Sequence, residues 1–212
     1  SAARFGTSYA ATVLREQKRL IEAVAMDMWE PYINRVQHHC PQSRIVFDFF
    51  LMVQSFNRVI DHVRRTEYHK AKNNDRKVLK GSRYLLLKND ENLTDEQRNR
   101  LNEILELNTT LNSVYVLKDQ LKLLFYYGER QRVKQALDDW CRMAEQIYHV
   151  SVRQFAKQLR FFEYGILNHA DYPIGTSMLE GINNKIKVIK RKAYGFHDCH
   201  YFALKVKQAF AA

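Results

Sequence analysis

Two short apolar runs, Ile21-Glu22-Ala23-Val24-Ala25-Met26-Asp27 and Arg44-Ile45-Val46-Phe47-Asp48, decide how this chain folds. Both have the length and composition of a buried strand, and each closes on an aspartate. Between them, Trp29-Glu30-Pro31-Tyr32 opens a helix, because proline in a first turn gives up no needed N–H. That helix is expected to reach about Cys40 and stop before Pro41. After the second run, Phe50, Val53, Phe56, Val59, Ile60 and Val63 repeat at helical spacing. Strand, helix, strand, helix over residues 20–65 is βαβ logic and predicts a parallel pair. Sites in open α/β sheets gather at the carboxyl ends of strands, which draws attention to Asp27 and Asp48.

Outward from this unit, the chain reads as helical. Residues 7–19 suggest a short helix ending in Arg15, Lys18 and Arg19. From Arg58 to Lys88 there are ten Lys and Arg against three acids. Residues 66–92 therefore read as a solvated basic loop flanked by helix ends, or as a surface that touches nucleic acid. Thr94-Asp-Glu-Gln97 is a capping box opening a helix to about Leu107. Apolar stripes over 111–126, 129–147 and 151–168, with a break at Gly128, predict a bundle joined by short connections. Ser177 heads a further helix that is expected to end near Gly195, and residues 199–210 make one more.

The 212 residues carry 34 Lys and Arg against 23 Asp and Glu, a net charge of +11 that favours a polyanionic partner, nucleic acid first. With 46% hydrophobic residues the chain is not a disordered one, and seven Gly and three Pro do not suit a turn-rich β sandwich. No apolar run approaches the ~20 residues of a membrane span. The first residues show no secretory layout, and Ser rather than Met at position 1 suggests a trimmed or partial polypeptide. Cys40, Cys141 and Cys199 are odd in number and form no CxxC pair, so a reducing, cytoplasmic compartment is expected.

Three acids are candidates for chemistry: Asp27 and Asp48 at strand ends, and Glu180 at the start of a basic helix. Carboxylates brought together from separate elements can hold Mg²⁺ or Mn²⁺, hard cations that prefer oxygen. Two such ions activate an attacking oxygen and stabilise a leaving one in phosphodiester transfer. Lys185, Lys187, Lys190, Arg191 and Lys192 add cations suited to phosphates, and Asn183 and Asn184, poor helix formers, suggest a polar contact. Simpler readings stand beside these. Glu180 can close a capping box on Ser177, Asp27 and Asp48 can be cap acids, and the basic run can be a solvated face. Trp29 and Tyr194 can stack on an unpaired base or anchor helices to the sheet. No tight His spacing of the HExxH kind occurs.

Leu179-Glu180-Gly-Ile-Asn-Asn-Lys-Ile-Lys-Val-Ile-Lys190 through Phe196 resembles the C-terminal signature of ISL-type (insertion sequence L, type three) DDE transposases. Ala23 to Tyr32 with Ile45-Val-Phe-Asp48 resembles the middle block of the same family, and Lys80 to Lys88 with Leu93 to Gln97 is similar to its helical insertion.

The resemblance implies an α/β fold: a partial RNase H-like core over 1–65, a helical insertion with a basic linker over 66–170, and C-terminal helices over 171–212 that complete the core. It implies metal-dependent cleavage and joining of DNA at insertion-sequence ends, with Mg²⁺ or Mn²⁺ as cofactor. By motif match Asp27 and Glu180 are the second and third acids of the triad and metal ligands, with Asp48 a nearby acid. Lys185, Lys187, Lys190, Arg191, Lys192, Asn183 and Asn184 are the expected DNA contacts. DNA ends and target are the implied partners, in a nucleoid-associated homo-oligomer with no membrane.

The family's first acid belongs to an earlier strand, so this chain alone is expected to be inactive. The block after Asp48 also departs from the family pattern, reading Phe49-Phe50-Leu51 where a basic residue, Phe and His are usual. The alternatives are a basic DNA-binding remnant without chemistry, or a helical interaction module.

Overall fold

The computed structural model describes residues 16, 18–192 and 198–210, with the side chains of residues 73, 177–180, 183, 192 and 199 outside that description. The helix expected over 7–19 and Tyr194 fall largely or wholly outside it. Residues up to Ile174 form one compact unit and Gly175–Ala212 a second.

The βαβ unit forms as the apolar runs predict. Strand β1 (Ala23–Met26) and strand β2 (Arg44–Phe47) pair in parallel, in register from Ala23↔Arg44 to Met26↔Phe47. The crossover is helix α1 (Glu30–His39), with Pro31 in its first turn and Cys40 as its C-cap. Only Ile33 of α1 is buried.

Helix α2 (Phe49–Lys70) is the axis of the large unit. Its buried stripe is Met52, Phe56, Ile60, Val63 and Glu67, one turn longer than expected. Phe50, placed on that stripe by spacing, is half exposed instead. At about 100° per residue Phe50 falls well to the side of the line through Met52, Phe56, Ile60 and Val63.

The basic stretch 66–92 is not a loop. It folds into helix α3 (Asn73–Leu79) and helix α4 (Arg83–Leu87), joined at Gly81, whose φ of 75° suits a residue without Cβ. Leu79, Leu85 and Leu86 are buried, so a few apolar residues anchor a stretch that is polar on average.

Helix α5 (Asp95–Leu107) begins with both halves of the predicted capping box, Thr94 and Gln97 each bonding to the other's backbone. Helix α6 (Thr109–Leu123) is capped by Asn108, which accepts from the Leu111 N–H. The Asn108 amide also donates to the buried Glu67 carboxylate at 2.8 Å, tying the α5–α6 corner to α2. A 3₁₀ turn over Leu124–Tyr126 follows, then helix α7 (Arg130–Gln146).

The stripe over 151–168 is split into two helices. Helix α8 (Val150–Phe161) ends at Phe162, whose ψ of 14° turns the chain into helix α9 (Glu163–Asp171). The bend brings Phe162 and Gly165 onto Phe47 of β2. Tertiary packing on the sheet thus overrides a periodicity that looks continuous.

Phe56 and Phe155 each meet Trp140 edge to face, at 5.3 and 5.9 Å, and lie tilted to one another at 5.0 Å; the Trp140 indole donates to the Leu117 carbonyl. In the second unit, helix α10 (Ser177–Lys192) and helix α11 (Cys199–Phe210) form where the sequence suggests, and the end expected for α10 near Gly195 lies outside the described residues. The Asp198 carboxylate accepts from the His200 and Tyr201 N–H groups and so caps α11.

Candidate nucleic-acid site at the strand tips

The parallel register carries the two strand-end acids to neighbouring positions. The Asp48 N–H donates to the Met26 carbonyl at 2.9 Å, one step beyond the Met26↔Phe47 pair. Asp27 and Asp48 therefore flank the carboxyl edge of the sheet, where α/β folds place their sites.

Their side chains do different work. Asp48 is buried, and its Oδ1 accepts from the Leu51 N–H at 3.0 Å, capping α2. Asp27 is half-buried, and its Oδ1 accepts from the adjacent Met28 N–H at 2.8 Å. No hydrogen bond to Asp27 Oδ2 forms among the described residues, which leaves that oxygen available to a ligand.

Sequence reasoning missed the residues that hold this edge in place. Gly165 of α9 lies so close to Phe47 that a Cβ there would meet the ring at 2.4 Å. The buried Asn168 amide donates to the Ile45 carbonyl at 2.9 Å and covers the far side of β2. On its other side Asn168 accepts from Arg130, which pairs with Asp171. His169, beside Phe125, feels the Asp48 charge; burial lowers its pKa, and Asp48 pulls the other way. A lone Gly and an Asn-His pair inside a helical stripe carry no local signal of these roles.

Beside Asp27 runs an open groove of about 600 Å³, lined by Met28, Trp29, Glu30, Pro31 and, from α8, Lys157, Gln158, Phe161 and Phe162. Trp29 is half exposed, with Tyr32 edge-on to it at 4.4 Å.

The expected catalytic and metal partner Glu180 has its side chain outside the described residues, as do the expected DNA contacts Asn183 and Lys192. Asn184, Lys187, Lys190 and Arg191 are exposed on α10, while Ile182, Ile186 and Ile189 form its less exposed stripe. Lys185 is exposed but engaged within its own unit. Its Nζ donates to the Ala209 carbonyl at 2.6 Å and lies over the Phe210 ring.

The fit to a divalent ion is partial. Among the described residues no three His, Cys, Asp or Glu side chains gather into a metal-holding group. Asp27 supplies one carboxylate with a free oxygen, a donor suited to a hard cation but insufficient by itself. No helix among the described residues is long and apolar enough to cross a membrane.

Comparison with known proteins agrees with the motif reading. A family model described as "Transposase", the ISL3 type, matches residues 3–206. The chain is 44% identical over 193 residues to the transposase for insertion sequence element IS1001 of Bordetella parapertussis, covering 90% of this chain and 48% of that protein. It is 32% identical over 120 residues to the transposase for insertion sequence element IS1557 of Mycobacterium tuberculosis, covering 57% of this chain and 27% of that protein. The chain thus spans about half the length, or less, of these curated relatives. No solved structure matches it.

Proposed function

The chain belongs to the ISL3 transposase family, and from that membership we propose that it is the C-terminal part of a catalytic region that cuts and joins DNA at insertion-sequence ends. The observation that carries the reading is Asp27, at the tip of β1, with one carboxylate oxygen free of protein partners among the described residues.

In this reading residues 1–65, with β1, α1, β2 and most of α2, are part of an RNase H-like core, and residues 66–170 are the helical insertion. The family motif would make Asp27 and Glu180 the residues that hold Mg²⁺ or Mn²⁺, with a further acid from an earlier strand. The bound ions would polarise the scissile phosphate and lower the pKa of an attacking water or hydroxyl. Asp48 does not ligate; it keeps α2 in place, so the β2 tip stays rigid beside Asp27. Lys187, Lys190 and Arg191 contact phosphates and set the register of the duplex without reading its sequence.

A second reading, a basic DNA-binding remnant without chemistry, is favoured by one observation. Leu51 stands where the family pattern has His, and its N–H is used by the Asp48 cap.

Mn²⁺ titration followed by electron paramagnetic resonance separates the two. A catalytic remnant binds Mn²⁺ weakly, and either Asp27→Ala or Glu180→Ala removes that binding. Mn²⁺ binding that is absent, or unchanged in both variants, leaves the remnant reading.

A further inference from the structure

The groove beside Asp27 combines features that a bare packing defect does not need. Its two exposed aromatics come from different elements: Trp29 from the turn after β1, Phe161 from the last turn of α8. Phe161 is 67% exposed, although the neighbouring Phe162 is buried against Phe47. Phe161 meets Phe162 edge to face at 4.9 Å, so the outer ring is braced by one that is fixed to the sheet.

Lys157 lies four residues before Phe161 and so shares its face of α8. It is exposed and forms no ion pair or hydrogen bond among the described residues. Arg160 on the same helix, by contrast, is paired with Glu145 and Asp138.

Aromatic faces beside a free cation suit an unpaired nucleotide. Bases of any identity stack on exposed rings, and the phosphate pairs with the cation. Glu30 and Gln158 add an acceptor and an amide for base edges. The negative charge of Glu30 sets the phosphate on the Lys157 side.

We propose that this groove binds one unpaired nucleotide of a DNA strand, its base against Trp29 and Phe161 and its phosphate on Lys157. This rests on the DNA-processing reading above and adds a site to it. Met28 and Trp29 of the groove follow Asp27 directly in the chain, so a strand end or a base turned out of the duplex would be held near the tip of β1 that carries the proposed metal ligand.

The protein carries its own reporter. It has two tryptophans, and Trp140 is 1% exposed, so a bound base quenches Trp29 selectively. The test is a fluorescence titration of the 212-residue chain with a short oligothymidylate, in EDTA so that no metal takes part. A matched abasic oligonucleotide carries the same phosphates without bases.

The expected result is saturable quenching, with affinity for the abasic probe about five-fold lower or more. Phe161→Ala reduces the preference for the base-bearing probe, since Trp29 still stacks on the base. Lys157→Ala weakens both probes alike. Both residues are exposed, and unchanged circular dichroism and melting confirm that the variants fold. Equal affinity for the two probes, or oligonucleotide binding that leaves Trp29 emission unchanged, overturns the proposal. Mn²⁺ binding is a separate readout: its loss in Asp27→Ala with quenching intact bears on the catalytic reading alone, and the converse bears on the groove alone.

Discussion

Asp27 and Asp48 sit side by side just past the last rung of the parallel ladder, yet only Asp48 is committed to capping a helix. This asymmetry separates a structural acid from one that is free to take a ligand. Asp48→Ala is expected to cost about 0.5–2 kcal/mol, the usual loss for a helix cap. Asp27→Ala is expected to cost much less and to lose bound Mn²⁺. Urea unfolding of the two variants, read beside the Mn²⁺ titration, checks both. Equal destabilisation by the two would refute the division.

Gly165 is the close-contact point between α9 and β2. Gly165→Ala drives a methyl into the Phe47 ring, and overpacking of this kind costs about 1–3 kcal/mol. Combining it with Phe47→Leu should recover part of the loss, because the two substitutions act on one contact. Thermal melts of the four proteins in the cycle measure the coupling; strict additivity would mean that the helix has moved away instead.

Lys118 is fully buried, yet its ammonium faces no carboxylate in hydrogen-bond contact. Its Nζ donates to the Leu86 and Lys88 carbonyls and lies 4.1 Å from the centre of the Tyr115 ring. Burial pushes its pKa down to about 8, below the ordinary lysine value of 10.5. Between those pH values the unfolded chain binds the extra proton, so this group's contribution to stability rises with pH. The penalty is fully present below pH 8. Subtracting the urea stability of Lys118→Met from that of wild type, at pH 8 and at pH 10, should give a difference that grows with pH. A flat difference would show that the two carbonyls and the ring hold the proton as tightly as water does.

The exposed cations of α10 are expected to act on phosphates. Lys187→Ala or Arg191→Ala should weaken duplex binding for any sequence. Each should also make the slope of log affinity against log salt shallower by about 0.9. An unchanged slope would assign that residue to the solvated face. Lys185→Ala should instead lower stability, since this cation already joins α10 to α11.

Patterns that depend on near neighbours in the chain were legible without coordinates. The two strands, the Pro31 helix start, the capping box at Thr94 and Gln97 and the presence of α10 and α11 all rest on residues a few positions apart. Motif spelling likewise pointed to the transposase family from Glu180 to Phe196 and from Ala23 to Asp48. The split between α8 and α9 was not legible, because the turn at Phe162 goes with its packing on Phe47, more than a hundred residues away. Average polarity likewise hid the helices of residues 73–87, which Leu79, Leu85 and Leu86 hold by burial.

By itself, then, the sequence determined the parallel pair, most of the helices that follow it, the family and the acids worth testing. These follow from local periodicity, capping chemistry and motif order. Only the tertiary structure decided that Asp48 is spent on a cap while Asp27 keeps a free oxygen. It alone decided that Gly165 and Asn168 hold the sheet edge, and that Trp29, Lys157 and Phe161 share one groove. The physical reason is that burial and hydrogen-bond partnership belong to groups brought together across the chain, and no single segment carries them.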